Sequence, residues 1–98
     1  MNIWVDDIRK PPEGWIWVRS AREAINFIRQ AWPEFISLDH DLGEDGSGYD
    51  VACEIEKLVA AGRPCPMWHV HSANPSGARQ IILAMESAER LDNGRGKV

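Results

Sequence analysis

Acidic residues and histidines stand at the ends of three short apolar segments of the chain. Asp6 and Asp7 close the first segment, residues 39–41 (Asp-His-Asp) close the second, and His71 closes the third. Clustered carboxylates repel one another unless a cation or a proton lies between them. Carboxylate oxygens suit Mg²⁺ or Mn²⁺, and an added imidazole would also suit Zn²⁺. If the three segment ends converge, the sequence predicts a divalent metal site there.

The predicted metal ligands are Asp6, Asp7, Asp39 and Asp41. Asp6 or Asp41 has the alternative of capping a turn or a helix amide, with no ligand involved. Ligands of open parallel sheets bind beyond the carboxyl ends of the strands. All four residues follow strand-like segments, so we expect them to bind a metal or a phosphate.

The histidines are candidates for proton transfer. His69 and His71 are two residues apart in a strand-like segment, so their side chains share one face, roughly 6–7 Å apart along it. His71, at the strand end, is expected to act as general acid or base or as a ligand. His69 lies deeper and is equally compatible with a core imidazole hydrogen-bonded to a neighbour. His40 points away from Asp39 and Asp41 in an extended strand and reaches the site only if the chain has already turned.

Ser72, Asn74 and Arg9 are candidates for binding phosphate, and Tyr49 and Asp50 are possible further residues of the site. Ser72 and Asn74 precede the last predicted helix, whose amides and dipole favour phosphate oxygens, although Asn74 has the simpler role of N-cap. Arg9 follows the acidic pair and could clamp a phosphate with two hydrogen bonds. Tyr49 and Asp50 begin the second helix near the central loop, where Asp50 has the alternative of complementing the helix dipole.

Short apolar segments alternate with helical patterns along the chain. Four strands are expected at residues 3–5, 15–18, 35–38 and 67–71, and three helices at residues 21–32, 49–62 and 75–91. Residues 8–14 should form a loop, because Pro11 and Pro12 lack an amide hydrogen and restrict the residue before them. The order β-β-α-β-α-β-α predicts a parallel sheet with right-handed crossovers.

Length and composition indicate one domain, at residues 1–91, followed by a polar, Gly-rich tail at 92–98 that we expect to be flexible. The net charge is −4 and Lys and Arg are dispersed. A small phosphorylated ligand or an RNA end is therefore an expected partner, and an extended nucleic-acid duplex is not. The sequence shows no bilayer-spanning segment and no signal peptide, so we expect a cytoplasmic protein without a membrane partner.

Six segments of the chain resemble the cyclic-phosphate processing receiver-like domains of bacteria and phages, in matching order from residue 3 to about 91. They are residues 5–9, 12–15, 18–21, 37–43 (Ser-Leu-Asp-His-Asp-Leu-Gly), 48–51 and 71–75 (His-Ser-Ala-Asn-Pro). The resemblance implies a flavodoxin-like, three-layer α/β/α receiver fold with about four parallel strands in the order 2-1-3-4. It also implies action on cyclic phosphates, such as the 2′,3′-cyclic ends of RNA or nucleotides.

That family is in turn similar to the receiver domains of two-component signalling. In those domains an acidic pair after the first strand and an Asp after the third bind Mg²⁺, and the latter Asp takes the phosphoryl group. Asp6, Asp7 and Asp39 match these positions, and Ser72 matches the hydroxyl residue after the fourth strand. The helix between the first two strands is missing, as is a fifth strand with its lysine, since Lys97 lies in the predicted tail. The loss of that lysine argues against aspartyl-phosphate signalling, and the additional His40, Asp41, His69 and His71 favour hydrolytic chemistry.

Three functions are compatible with these residues. We favour a metal-dependent phosphoesterase that opens cyclic phosphates, with His71, His40 and Asp39 as catalytic residues. The second is a receiver-like phosphoacceptor or phosphate sensor without turnover. The third is a binding or assembly module without chemistry, because a fold alone does not fix function. The expected cofactor is Mg²⁺ or Mn²⁺, with Zn²⁺ as the alternative.

Overall fold

The computed structural model describes residues 1–95, which form one four-stranded parallel sheet and three helices. The strands are Asn2–Val5 (β1), Ile16–Val18 (β2), Phe35–Leu38 (β3) and Met67–Val70 (β4), and the helices are Ala21–Gln30 (α1), Gly48–Ala60 (α2) and Pro75–Arg95 (α3). The strand order is β2-β1-β3-β4 and every pairing is parallel. The predicted sheet order and the predicted number of helices are confirmed.

The register brings the three functional strand ends to one edge of the sheet. Val5 pairs with Leu38, and Leu38 pairs with Val70. The ladder continues one residue further, because the amide of Asp39 donates to the carbonyl of Val5 at 2.9 Å and the amide of His71 donates to that of Leu38 at 3.0 Å. The residues that follow these three strands, Asp6, Asp39 and His71, therefore lie at the same level along the carboxyl edge of the sheet.

All three helices lie on one face of the sheet, whereas helices on both faces are expected from the sequence; the strand order and the number of helices are as predicted. The crossovers from β2 to β3 and from β3 to β4 step across the sheet in the same direction, and right-handed connections of one direction place their helices on one face. Arg29 of α1 donates to Glu54 of α2 at 3.0 Å. A single core cluster joins the helices to one side of the strands and includes Ile3, Val5, Val18, Ile36, Leu38, Ile28, Val51, Ile55, Ile81 and Met85.

The second face of the sheet is covered by aromatic side chains. Of the connections between strands, only the one between β1 and β2 steps the other way, and Pro11 and Pro12 keep that connection a loop. The loop instead places Trp15 on this face, where its ring packs edge-to-face with the rings of Trp4 and Phe35. The ring centroids are 6.1 Å apart for Trp4 and 5.2 Å apart for Phe35. We call this side of the sheet the aromatic face.

Helix α3 continues further than the sequence indicated. It runs to Arg95, whose guanidinium donates to the carbonyls of Val59 and Arg63 and to Asp92. Asp92 in turn accepts from the amide of Cys65 at 3.1 Å. These tertiary bonds give the polar residues partners, so the prediction of a flexible tail is wrong for residues 92–95. Residues 96–98, including Lys97, lie outside the described part of the chain.

No helix within residues 1–95 combines the length and the apolar character needed to cross a membrane.

Candidate metal centre and phosphate site

Three of the predicted carboxylates meet at the edge of the sheet. Asp6, Asp7 and Asp39 each offer an oxygen, and these oxygens all lie within 4.8 Å of one another. Asp6 is fully buried and Asp39 is 7 % exposed. Oxygen donors of this kind are the ligands that Mg²⁺ and Mn²⁺ prefer in proteins. The donor set fits a divalent cation, since carboxylates this close and this buried repel one another without a counter-charge.

Asp6 is held in a fixed orientation by three hydrogen bonds. Its Oδ1 accepts from the amides of Ile8 at 2.8 Å and Arg9 at 2.7 Å, and its Oδ2 lies 3.0 Å from Nε2 of His71. Burial alone would raise the pKa of the Asp6 carboxyl, but the bonds from Arg9, Ile8 and His71 lower it below its usual value. Asp6 therefore caps the turn after β1 with one oxygen, and the other oxygen faces the cluster as an anion.

His71 lies against this cluster with both ring nitrogens occupied. Nε2 faces Asp6, and Nδ1 lies 2.7 Å from Oγ of Ser37. The ring stacks on Trp4 with 3.9 Å between centroids and 7° between planes, and its side chain is 8 % exposed. Burial lowers the pKa of the imidazole below its usual value, although the bond to Asp6 opposes that shift.

Ser37 is the site residue that the sequence prediction missed. It is 1 % exposed and lies in β3 between Ile36 and Leu38, so its side chain points to the aromatic face while theirs point to the core. A single polar residue within an apolar strand was the available signal. A lone serine in a buried strand is also compatible with simple packing, so the signal alone does not identify a partner.

His69 is exposed, not a core imidazole, so the prediction that it lies deep is wrong. It is on the edge strand β4 and points to the aromatic face, on the side of the sheet opposite the three helices of residues 1–95. Its Nδ1 is 3.5 Å from Oγ of Ser37, the oxygen that also contacts His71. The predicted common face of the two histidines is confirmed by this shared contact.

Arg9 and Ser72 lie beside His71. The guanidinium of Arg9 donates to the carbonyl of His71 at 2.8 Å, and its Nε is 3.9 Å from Oδ2 of Asp6. The Ser72 hydroxyl accepts from the amide of Asn74 at 3.0 Å, which leaves its hydrogen able to donate elsewhere. Oδ1 of Asn74 accepts from the amide of Gly77 at 3.1 Å, so its N-cap role is confirmed.

His40 and Asp41 form a second pair, outside the group of three carboxylates. The chain turns after Asp39, and Nδ1 of His40 lies 3.0 Å from Oδ1 of Asp41. Asp41 is well exposed and also accepts from Asn74 at 3.4 Å. The bonds from His40 and Asn74 hold the pKa of the Asp41 carboxyl below its usual range. Its predicted place among the metal ligands is not supported, because its exposed carboxylate faces His40 and α3.

The two candidates at the start of α2 have other partners. Oδ2 of Asp50 accepts from the amide of Ser47 at 2.8 Å and completes a capping box, which matches the structural alternative given for Asp50. Tyr49 lines a groove with Glu56 and Leu83, between α2 and α3. Neither side chain contacts the three carboxylates.

Comparison with known proteins gives one match. The profile of the family described as "Cyclic-phosphate processing Receiver domain" matches residues 1–87 of the chain. That span includes all seven elements except the C-terminal part of α3, and it contains every residue of the site. No curated protein and no solved structure matches the chain.

Proposed function

We propose that this chain, which belongs to the family of cyclic-phosphate processing receiver domains, opens cyclic phosphates with the aid of a divalent metal. The observation that carries the proposal is the group of three carboxylate oxygens within 4.8 Å of one another at the carboxyl edge of the sheet. Asp6, Asp7 and Asp39 would hold Mg²⁺ or Mn²⁺, with Zn²⁺ as the alternative. When bound, the ion would supply Lewis-acid polarisation of a phosphoryl oxygen and a water of lowered pKa.

The substrate class that fits is a 2′,3′-cyclic phosphate at an RNA end or on a nucleotide. Arg9 has five donor hydrogens, of which one is used on the carbonyl of His71, and its side chain is half-exposed. With the Ser72 hydroxyl it would hold the phosphate oxygens beside the cluster. The net charge of −4 argues for a short, end-bound ligand and against a long duplex.

His40 is the better candidate for proton transfer, and His71 the better one for holding Asp6. Both ring nitrogens of His71 are hydrogen-bonded inside the protein, and its side chain is 8 % exposed against 20 % for His40. A general acid or base must reach the substrate directly or through one water. His40 directly follows Asp39, so it lies next to a metal-ligand candidate.

A second candidate function is a phosphoacceptor or phosphate sensor without turnover, in which Asp39 takes a phosphoryl group. The position of Asp39 after β3, beside the acidic pair after β1, supports it. A binding or assembly module is the third hypothesis. One feature argues against phosphoacceptor signalling: residues 1–95 contain no fifth strand that would place a lysine beside the phosphoryl group.

The test is turnover of 2′,3′-cyclic AMP with Mg²⁺, Mn²⁺ or Zn²⁺. We expect Asp39→Asn to reduce turnover to the level seen with EDTA, and His40→Ala to lower it by about 10²–10⁴-fold with metal binding retained. Asp45→Asn is the matched control, since it removes one exposed carboxylate from the glycine loop. Equal loss in Asp39→Asn and Asp45→Asn would contradict a metal role for Asp39.

A further inference from the structure

Ser37 places a buried hydroxyl at the centre of the aromatic face. In the sheet register it pairs with Trp4 of β1 on one side and with His69 of β4 on the other. Its Oγ lies 2.7 Å from Nδ1 of His71 and 3.5 Å from Nδ1 of His69. The hydroxyl has one hydrogen to donate, and the shorter distance assigns that hydrogen to His71.

The hydrogen bonds fix the direction of a chain from Ser37 to Asp6. Asp6 is ionised and can only accept, so Nε2 of His71, 3.0 Å from its Oδ2, must carry a hydrogen. A neutral imidazole carries one ring hydrogen, which leaves Nδ1 as an acceptor. Ser37 must then be the donor to Nδ1. The chain therefore runs from the Ser37 hydroxyl through the His71 ring to the Asp6 carboxylate.

Two further contacts fix the plane of the His71 ring but not the place of its hydrogen. Trp4 stacks on the ring at 3.9 Å, and Arg9 donates to the backbone carbonyl of His71 at 2.8 Å. Neither contact distinguishes one ring nitrogen from the other. That distinction depends on Ser37 at Nδ1 and Asp6 at Nε2.

We propose that Ser37 is a positioning residue of the site, whose hydroxyl anchors Nδ1 of His71 and so keeps the Nε2–H side of the ring against Asp6, which fixes Asp6 for a metal ion. The effect on the metal rests on the proposed function, whereas the bond from Ser37 to His71 does not. Without the hydroxyl, the buried Nδ1 loses its donor, so the ring is held from one side only and can turn away from Asp6. Groups that orient metal ligands in this way change metal affinity by about 10–100-fold when they are removed.

The test is the tautomer of His71, read from the ring nitrogens by ¹⁵N NMR of the full chain. The spectra are taken without metal at roughly pH 8.5, well above the ordinary histidine pKa of about 6.5. A ring nitrogen that carries hydrogen resonates far upfield of one that does not. We expect the wild type to show hydrogen on Nε2 alone, with the Nδ1 resonance moved upfield by the hydrogen bond from Ser37, and Ser37→Ala to lose that upfield shift at Nδ1. Ser37→Thr, which keeps the hydroxyl, should restore the wild-type pattern.

His69→Ala is the matched control, because it removes the other neighbour of Ser37 and leaves the bond to His71. It should keep the wild-type Nδ1 resonance. A wild type with hydrogen on Nδ1 would overturn the proposal even if no variant folds, and so would an unchanged Nδ1 resonance in folded Ser37→Ala. The second measurement is Mn²⁺ affinity, expected to fall about 10–100-fold in Ser37→Ala. A wild type that binds no Mn²⁺ would contradict the proposed function, while the NMR result would still decide the role of Ser37.

Discussion

Replacing Gly77 with alanine should displace His40 and destabilise the protein. A Cβ at position 77 would lie 2.3 Å from Cγ of His40 and 2.6 Å from both Cδ2 and Nδ1. Carbon atoms in contact are normally about 3.5–4.0 Å apart, so the ring would have to move by about 1.2 Å or more. The backbone of His40 is held by bonds to Asp39 and Gly48, and its ring is held by Asp41. The move therefore breaks at least the bond to Asp41.

The size of the effect follows from two opposing contributions. Overpacking of a well-packed site costs about 1–3 kcal/mol, while Gly→Ala within a helix gains about 0.5–1 kcal/mol. The 2.3 Å approach to His40 places the cost in the upper part of its range, at about 2–3 kcal/mol. We therefore expect Gly77→Ala to lower the free energy of unfolding by about 1–2.5 kcal/mol, at about 4–8 °C in Tm for each kcal/mol. Urea unfolding followed by tryptophan fluorescence measures the change.

Gly94→Ala is the control for this experiment, because it lies on the same helix and a Cβ there would meet nothing within 4 Å. It should lose no stability. If Gly77→Ala proves as stable as Gly94→Ala, the close packing of His40 against α3 is wrong. Should Gly77→Ala lose stability as expected, cyclic-phosphate turnover should fall with it per folded molecule, because His40 no longer occupies its place beside Asp39.

Three further predictions concern the metal, the pH dependence and the start of α3. Mn²⁺ at a hundred times its Kd should stabilise the wild type by about 2.7 kcal/mol; thermal unfolding should show this rise in Asp41→Asn and not in Asp39→Asn, and a rise in both would remove Asp39 from the metal site. The pKa of His71 is lower in the folded protein than its ordinary value of about 6.5. Between the two pKa values, the unfolded chain therefore binds more protons than the folded protein does. In metal-free buffer the contribution of His71 to the free energy of unfolding is therefore full above about pH 6.5, and it is lost as the pH falls through the pKa of the folded protein. Urea unfolding should show this decline, and His71→Asn should flatten it. Asn74→Ala removes the bond to the amide of Gly77 and should cost about 0.5–2 kcal/mol in the same assay, whereas Asn74→Ser should keep most of the stability.

The convergence of Asp6, Asp39 and His71 could be predicted because it depends only on strand ends. Parallel strands bring their carboxyl ends to one edge, so polar residues that stop an apolar segment meet there whatever the details of packing. The N-cap of Asn74 could be predicted for a similar reason, since it depends on local sequence alone.

The features that could not be predicted depend on contacts between distant residues. The bond from Ser37 to His71 needs the register of β3 against β4, which a lone serine does not reveal. The extension of α3 to Arg95 depends on carbonyls of α2 and of the turn after it. The placement of all helices on one face was within reach, because it follows from crossover handedness and the loop at Pro11 and Pro12.

The most direct test of the central claim is ³¹P NMR of 2′,3′-cyclic AMP incubated with the purified protein and Mn²⁺. The cyclic phosphate signal should be replaced by that of a 2′- or 3′-monophosphate. EDTA or Asp39→Asn should stop the conversion, and Asp45→Asn should not. An unchanged cyclic phosphate with Mg²⁺, Mn²⁺ and Zn²⁺ alike would contradict the proposal, and phosphorylation of Asp39 by acetyl phosphate in the same preparation would establish the phosphoacceptor in its place.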